Sequence, residues 1–321
     1  MTGFGQYQLR MQPASDRKTD PAPLVSVIIP CYNSERTIRD CLRSITKQTT
    51  GIRFDVTVVD SSADNTSLIV GNEFQSVKLI RLAARTFAGA ARNIGIRATA
   101  GRYCLMIDSD CVAAPDLIER MVSGHQEADY AAIGGSIGNG TPSSLSGLLC
   151  YLMEFKEFIP KAPRRPVTSV PTANVCYQRE SLELQGGFDD EMWLAEDILL
   201  NWKIHVSGEQ ILFDPQIAVT HFNRTGWINV LLYQRSMGQY SAMARRRGGL
   251  PGSIALRFPV LIALMPFARV VRAALWLLKY DRALFARFLL ISPMYLLGSA
   301  IWASGFFEEA SSGIISASTS Q

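Results

Sequence analysis

The residues of this chain best suited to chemistry are acids that end apolar runs. Residues 102–116 read R-Y-C-L-M-I-D-S-D-C-V-A-A-P-D. An apolar run of strand length, 103–107, stops abruptly at Asp108-Ser109-Asp110, and Pro115-Asp116 opens a helical pattern over 117–124. Two carboxylates one residue apart at the end of a buried strand are costly, because each resists leaving water and each repels the other. A divalent cation shared with pyrophosphate oxygens relieves both costs. A strand-to-helix turn that only solvates its acids accounts for the same pair, so the elements around it have to decide.

Those elements repeat. Residues 24–29 (L-V-S-V-I-I) read as a buried parallel strand, followed by P-C-Y-N-S-E and a helix with Ile38, Leu42 and Ile45 on one face. Residues 54–59 form the next strand, with Asp60 at its end and a turn rich in capping residues leading to a helix over 67–74. A short strand at 77–81, a helix at 89–98 and the strand at 103–107 follow. Alternating strands and helices predict a doubly wound, mostly parallel α/β sheet. In such sheets ligands bind beyond the carboxyl ends of the strands. Asn33, Glu35, Asp60, Asp108 and Asp110 fall at three of those ends, which a solvated turn at any one of them does not predict. No G-x-G-x-x-G or G-K-[ST] loop follows the first strand, which disfavours a dinucleotide site or P-loop.

Here the chain resembles the family 2 glycosyltransferases with the GT-A fold, a Rossmann-like sheet flanked by helices. The resemblance is carried by P-C-Y-N-S-E, V-V-D-S-S-A-D-N-T, A-R-N-x-G-I-R-x-A-x-G-x-Y and M-I-D-S-D-C, and it covers about residues 24–222. It implies a nucleotide-diphosphate sugar donor (UDP- or GDP-sugar), inversion at the anomeric carbon and a divalent metal, Mn²⁺ or Mg²⁺. Pro30, Tyr32, Asn33 and Glu35 would edge the nucleotide pocket. Asp60 would meet the base and Arg92 would sit near the nucleotide. Asp108, Ser109 and Asp110 would hold ribose, diphosphate and metal. The loop after Asp60 is one residue shorter than the commonest version, which leaves the base open.

In the second half, the resemblance assigns an acceptor side to Asn174, to the G-G-F-D turn of Gly187, Phe188 and Asp189, and to Gln234 and Arg235. It assigns the catalytic base to the Glu196-Asp197 pair. That role needs a partly desolvated carboxylate opposite the leaving nucleotide. Asp197 is the assignment and Glu196 the fallback. His221, just after a strand, resembles a third metal ligand and with aspartate suits Mn²⁺ better than Mg²⁺. Processive members carry Q-x-x-R-W near Gln234-Arg235. No tryptophan follows here, which weakens a reading as a polymer synthase.

Other segments are read from composition. The 145–158 stretch predicts an amphipathic helix, packed in the core or resting on a membrane surface. The proline-rich 160–166 stretch predicts a mobile loop able to close over a donor. Residues 211–213 and 217–219 read as two short strands around Asp214-Pro215. The 227–247 stretch predicts a helix ending in Arg245-Arg246-Arg247, suited to solvent or to anionic headgroups. Residues 258–268 and 273–278 are apolar, and the uncharged 288–307 run has the length of a membrane span. Arginines before that run, and Glu308-Glu309 after it, put the N-terminal domain at the cytoplasmic face of the inner membrane.

The expected division is a flexible leader (1–22), a catalytic domain (23–224), an amphipathic interface helix (225–250), membrane-associated or transmembrane helices (251–309) and a disordered tail (310–321). The net charge of +4 suggests no nucleic-acid partner, and six cysteines without metal spacing fit a reducing compartment. Membrane lipids and a lipid-linked or saccharide acceptor complete the expected partners. Two rival readings are a nucleotidyltransferase on a related sheet and a membrane-anchored scaffold with a degenerate transferase domain.

Overall fold

A computed structural model describes residues 22–318. The leader, apart from residue 22, and the last three residues of the expected tail lie outside the described residues. The first half runs β1 (Val25–Cys31), α1 (Ile38–Thr46), β2 (Phe54–Asp60), α2 (Thr66–Glu73), β3 (Lys78–Arg81), α3 (Ala88–Arg97), β4 (Tyr103–Ile107), β5 (Cys111–Ala113) and α4 (Leu117–Glu127). The second runs β6 (Tyr130–Asn139), α5 (Leu145–Phe155), β7 (Arg165–Val167), β8 (Asn174–Gln178), α6 (Arg179–Leu184), α7 (Glu196–Val206), β9 (Gln210–His221), α8 (Trp227–Gly248), α9 (Val260–Tyr280) and α10 (Arg282–Ser318).

The strands make one sheet in the order β3-β2-β1-β4-β8-β6-β9-β5, with β7 on β9. β1, β2, β3 and β4 pair in parallel, as their continuous β-branched runs predict. β8 then enters antiparallel between β4 and β6, and β5 and β7 join β9 antiparallel. The sheet is therefore mixed, less parallel than the sequence pattern predicts. Asn-Val-Cys-Tyr-Gln alternates identically whichever way it runs, so its direction was not legible.

Alternation along β1 divides the core. Val25, Val27 and Ile29 pack with Ile38, Leu42 and Ile45 of α1, while Ile28 faces Met106, Tyr177 and Leu200. Each such side chain, buried completely, contributes roughly 1.5–3 kcal/mol, which holds the carboxyl ends of β1, β2 and β4 level at one edge.

Four local expectations change. The two short strands around Asp214-Pro215 are one strand, β9, whose pairing with β6 shifts register between Gly135 and Ser136. The shift absorbs the segment that a proline would otherwise break. The expected mobile loop at 160–166 ends in an edge strand: Arg165 lies over the rings of Phe213 and Trp276, at 4.8 and 4.9 Å. The apolar runs at 258–268 and 273–278 are a single helix, α9, with Pro266 inside it. α10 continues to Ser318, past the expected start of the tail. α5 is a core helix, with nine buried residues of its eleven. α9 and α10 are each long and apolar enough to cross a membrane.

Candidate active site

The carboxyl edge of the sheet gathers the predicted acids. Cys31 pairs with Asp60 at the ends of β1 and β2. The loop after β1 is tied to the loop after β2: the Asn33 amide donates to Ser62 Oγ at 2.7 Å, and Asn33 Oδ1 accepts from the Ala63 amide at 3.1 Å. Asn33 adopts φ +54°, a left-handed conformation that asparagine tolerates. Tyr32 stands exposed at the rim with the Arg85 guanidinium 4.6 Å from its ring centre, and Arg85 also faces Trp193 at 5.6 Å. Ser34 Oγ lies 2.8 Å from Ser109 Oγ, joining this loop to the D-S-D turn. Pro30, in β1, pairs with Val59 and is half-buried.

Two residues of this group turn elsewhere. Asp60 is fully buried; its oxygens accept from the Ser62 amide at 3.0 Å and from the Ser62 and Ser67 hydroxyls. It braces its own loop instead of facing an open pocket. Glu35 Oε2 accepts from the Asn65 amide and side chain at 3.3 and 3.1 Å, which directs it toward the start of α2.

Arg92 is the keystone of the edge. Its guanidinium is almost wholly buried, with Nη2 2.7 Å from Asp108 Oδ1 and Nη1 2.6 Å from Glu196 Oε1. One cation thus joins the end of β4 to the start of α7. Burial would lower its pKa, but Asp108 and Glu196 outweigh that and raise it. Burial pushes Glu196 up to about 7 against the pull of Arg92. Asp197 is also raised, again by burial first, with Arg92 opposing. Asp197 is not paired to Arg92. Its Oδ1 accepts from the Ile198 amide at 2.8 Å and its Oδ2 from the Thr172 amide at 3.4 Å. Ala195, just before, holds φ +61°. A left-handed alanine costs about 1–2 kcal/mol, and here it sets the direction in which α7 presents the pair.

β5 pairs with the end of β9 and sets Cys111 opposite His221, so Asp110 comes beside the imidazole. Asp110 Oδ1 lies 3.3 Å from His221 Nε2, yet this buried oxygen has no hydrogen-bond partner. Asn223 explains why. Its Nδ2 donates to Asn139 Oδ1, Thr141 Oγ1 and the His221 carbonyl, so its Oδ1, 3.1 Å from His221 Nδ1, must accept. In the neutral ring the proton is then on Nδ1, and the bare Nε2 faces a bare carboxylate oxygen. Two facing acceptors with a fixed tautomer are what a divalent cation needs from a ligand pair. Cys111 lies close enough to join them, but burial pushes its thiol well up, and it packs in the core. Burial, and Asp108 after it, raise the Asp110 pKa. The residues present therefore fit a metal held by Asp110 and His221, while Asp108, expected as a further ligand, turns one oxygen to Arg92.

The expected acceptor residues mostly do other work. Asn174 is fully buried and donates to the Ser136 and Ile217 carbonyls at 3.0 Å, clamping the register shift between β6 and β9. Phe188 is core, edge-on to Tyr177. Gly187, at φ +74°, leaves no room for a Cβ beside Asn93, which holds the turn through the Phe188 amide and carbonyl. Asp189 pairs with Arg247 at the end of α8. Gln234 is buried with Nε2 unpartnered, and Arg235 pairs with Glu308 of α10 at 2.7 Å. Each type suits either role, and only its tertiary partner decides. Arg224 was missed. It stands three residues after His221, contributes to lowering Asp110, and lies 4.0 Å over the Tyr233 ring. A basic residue in the loop after a candidate ligand was the available signal.

Comparison with known proteins bears on the family and the fold. The family described as glycosyl transferase family 2 matches residues 26–183. A succinoglycan biosynthesis protein of Rhizobium meliloti is 29% identical over 229 residues, 66% of this chain; the chain spans 64% of that relative's length. A glycosyltransferase of Haloferax volcanii is 25% identical over 258 residues, 77% of this chain and 83% of its own. Among solved structures, a mannosyltransferase of Pyrobaculum calidifontis in complex with GDP-Man and Mn²⁺ shares the fold, with a TM-score of 0.60. It is 20% identical, and the match covers 90% of this chain and 87% of that one.

Proposed function

The chain belongs to the family 2 glycosyltransferases, and from that premise we propose that it transfers one sugar from a UDP- or GDP-sugar to a hydroxyl of a lipid-linked or cell-envelope saccharide. Membership sets aside the nucleotidyltransferase reading, and the presence together of Asp60, Asp108, Asp110 and Asp197 argues against the scaffold reading. We place the enzyme at the cytoplasmic face of the inner membrane, attached through α9 and α10.

The observation that carries the reading is the Arg92 bridge. It brings the donor end, Asp108, and the catalytic pair, Glu196-Asp197, to opposite sides of one buried cation. Glu196 is committed to that bridge. Asp197 is left with a raised pKa and only backbone partners, so it is free to take a proton. Asp197 removes the acceptor hydroxyl proton, the oxygen attacks the anomeric carbon, and the bond to the nucleotide diphosphate breaks on the far side. Configuration inverts. Asp110 and His221 would hold the divalent metal, which when bound neutralises charge on the departing diphosphate. Asn223 keeps His221 in the ligating tautomer. Arg224 adds positive charge on the same side, and Tyr32 offers a ring at the rim. Ser109 positions the D-S-D turn through Ser34.

The test is a screen of UDP- and GDP-sugars for hydrolysis and transfer by detergent-purified protein, with Mn²⁺ or Mg²⁺ and after chelation. Metal-dependent release of one nucleotide is the expected result. Absence of turnover with every donor, in protein that binds none of the nucleotides, would falsify the reading.

A further inference from the structure

We infer that α9 and α10 hold the protein on a lipid bilayer by lying flat within one leaflet, without crossing it. The inference rests on the proposed membrane attachment and is independent of the transfer chemistry. Both helices are fastened to the catalytic domain along their length. On α9, Arg272 pairs with Glu157 at 2.8 Å, and at its end Asp281 pairs with Lys161 at 3.0 Å. Arg287, near the start of α10, donates to the Pro142 carbonyl. Midway, Gly298 lies against Met153 of α5. Further on, a Cβ on Gly305 would meet the Arg235 carbonyl at 2.0 Å, and one on Gly238 would meet the Trp302 carbonyl at 1.9 Å, so α8 and α10 touch backbone to backbone. Glu308 and Glu309 then pair with Arg235 and Arg246.

The stretch from Arg287 to Glu309 is roughly 33 Å long at helical rise, enough to span hydrocarbon. If it spanned, the elements that touch it midway would enter the bilayer with it. The same holds for α9 and the Arg272–Glu157 pair, a charged couple that hydrocarbon disfavours strongly. Lying in the surface avoids both conflicts.

The outward faces match that placement. Val260, Leu264, Phe267, Val271, Leu275 and Leu278 form one stripe on α9, at spacings of three and four residues, each between 47% and 73% exposed. Leu290, Leu297 and Phe307 extend the apolar surface on α10. The opposite faces carry the packing: Ile262, Ala273 and Leu277 on α9, and Phe288, Tyr295 and Phe306 on α10. A continuous exposed stripe without a polar residue is unlike a solvated helix. Exposed Arg257, Lys279 and Arg282 sit near the helix ends and have no carboxylate within ion-pair distance among the described residues. Apolar stripe plus cationic ends complements anionic lipid.

The test uses the full chain in sealed membrane vesicles. All six native cysteines are buried, so an added thiol is the reactive one. Arg282→Cys reports the turn between α9 and α10, Ser312→Cys the far part of α10, and Gly51→Cys the catalytic domain. We expect membrane-bound protein in which an impermeant maleimide labels all three from the same side. Labelling of Arg282→Cys from the opposite side would mean a two-span hairpin, and labelling of Ser312→Cys from the opposite side a single span; either overturns the inference. A second arm measures flotation with vesicles of phosphatidylethanolamine and phosphatidylglycerol. Leu264→Asp/Phe267→Asp/Leu290→Asp should lower partitioning roughly a hundredfold or more, with donor binding unchanged. If that variant floats like the wild type while converting a lipid-free dimer to monomer, the face belongs to a second copy and the inference fails. Loss of transfer with the topology intact would count against the catalytic reading alone.

Discussion

Replacing Arg92 by lysine tests the bridge directly. The guanidinium reaches two carboxylates at 2.6 and 2.7 Å from nitrogens set in a rigid fork. An ammonium keeps the charge but is compact, and it can serve only one of the two acids well. The variant therefore loses about one charge-assisted hydrogen bond, worth about 1.5–3 kcal/mol. Stability should fall by that amount in urea denaturation. If the lost contact is the one that aligns Glu196-Asp197 against Asp108, kcat should fall by the same free energy, about ten- to a hundredfold. Donor affinity should change less, because Asp108 keeps its place at the end of β4. Removing the charge altogether in Arg92→Met strands two buried carboxylates and should cost about 3–5 kcal/mol. Lysine at this position with wild-type kcat and an unmoved urea midpoint would refute the bridge as the link between donor and acceptor sides.

Asp197→Asn should lower transfer by about a hundredfold or more while leaving nucleotide binding, read by calorimetry, intact; loss of binding would contradict the division of roles. Burial raises the Asp197 pKa, and a base must be deprotonated, so kcat should climb with pH through a value above about 3.9, the ordinary aspartate pKa, and then level; a limb at the ordinary value would contradict the assignment. Asn223→Leu frees the His221 tautomer and should weaken Mn²⁺ stabilisation in thermal-shift titrations about ten- to a hundredfold. Gly305→Ala forces a Cβ to 2.0 Å from the Arg235 carbonyl and should cost about 1–3 kcal/mol in urea denaturation.

What was legible in the sequence lay in local pattern. β4 ended where its apolar run ended, and β1 and β2 ran only one or two residues past theirs, which placed Asp60 and Asp108 at one edge. What escaped notice depends on partners far along the chain. Nothing near Asn174 announces that its amide will clamp Ser136 and Ile217. Nothing in Gln234-Arg235 separates an acceptor contact from packing under α10. Asp60 shows the same limit: a strand-end acid was expected to face ligand, but two nearby hydroxyls enclose it. Arg92 was read as a nucleotide neighbour, and its buried bridge follows from two carboxylates, one 104 positions away.

The backbone contact of α8 with α10 at Gly238 and Gly305 leaves no hinge between cleft and platform there. If the two C-terminal helices rest on lipid, the reacting centre stands at one constant height above the headgroups. An acceptor rooted in that lipid must offer its hydroxyl at the same elevation. Each sugar added would lift the next hydroxyl past it, so the fold would act as a gauge of glycan length.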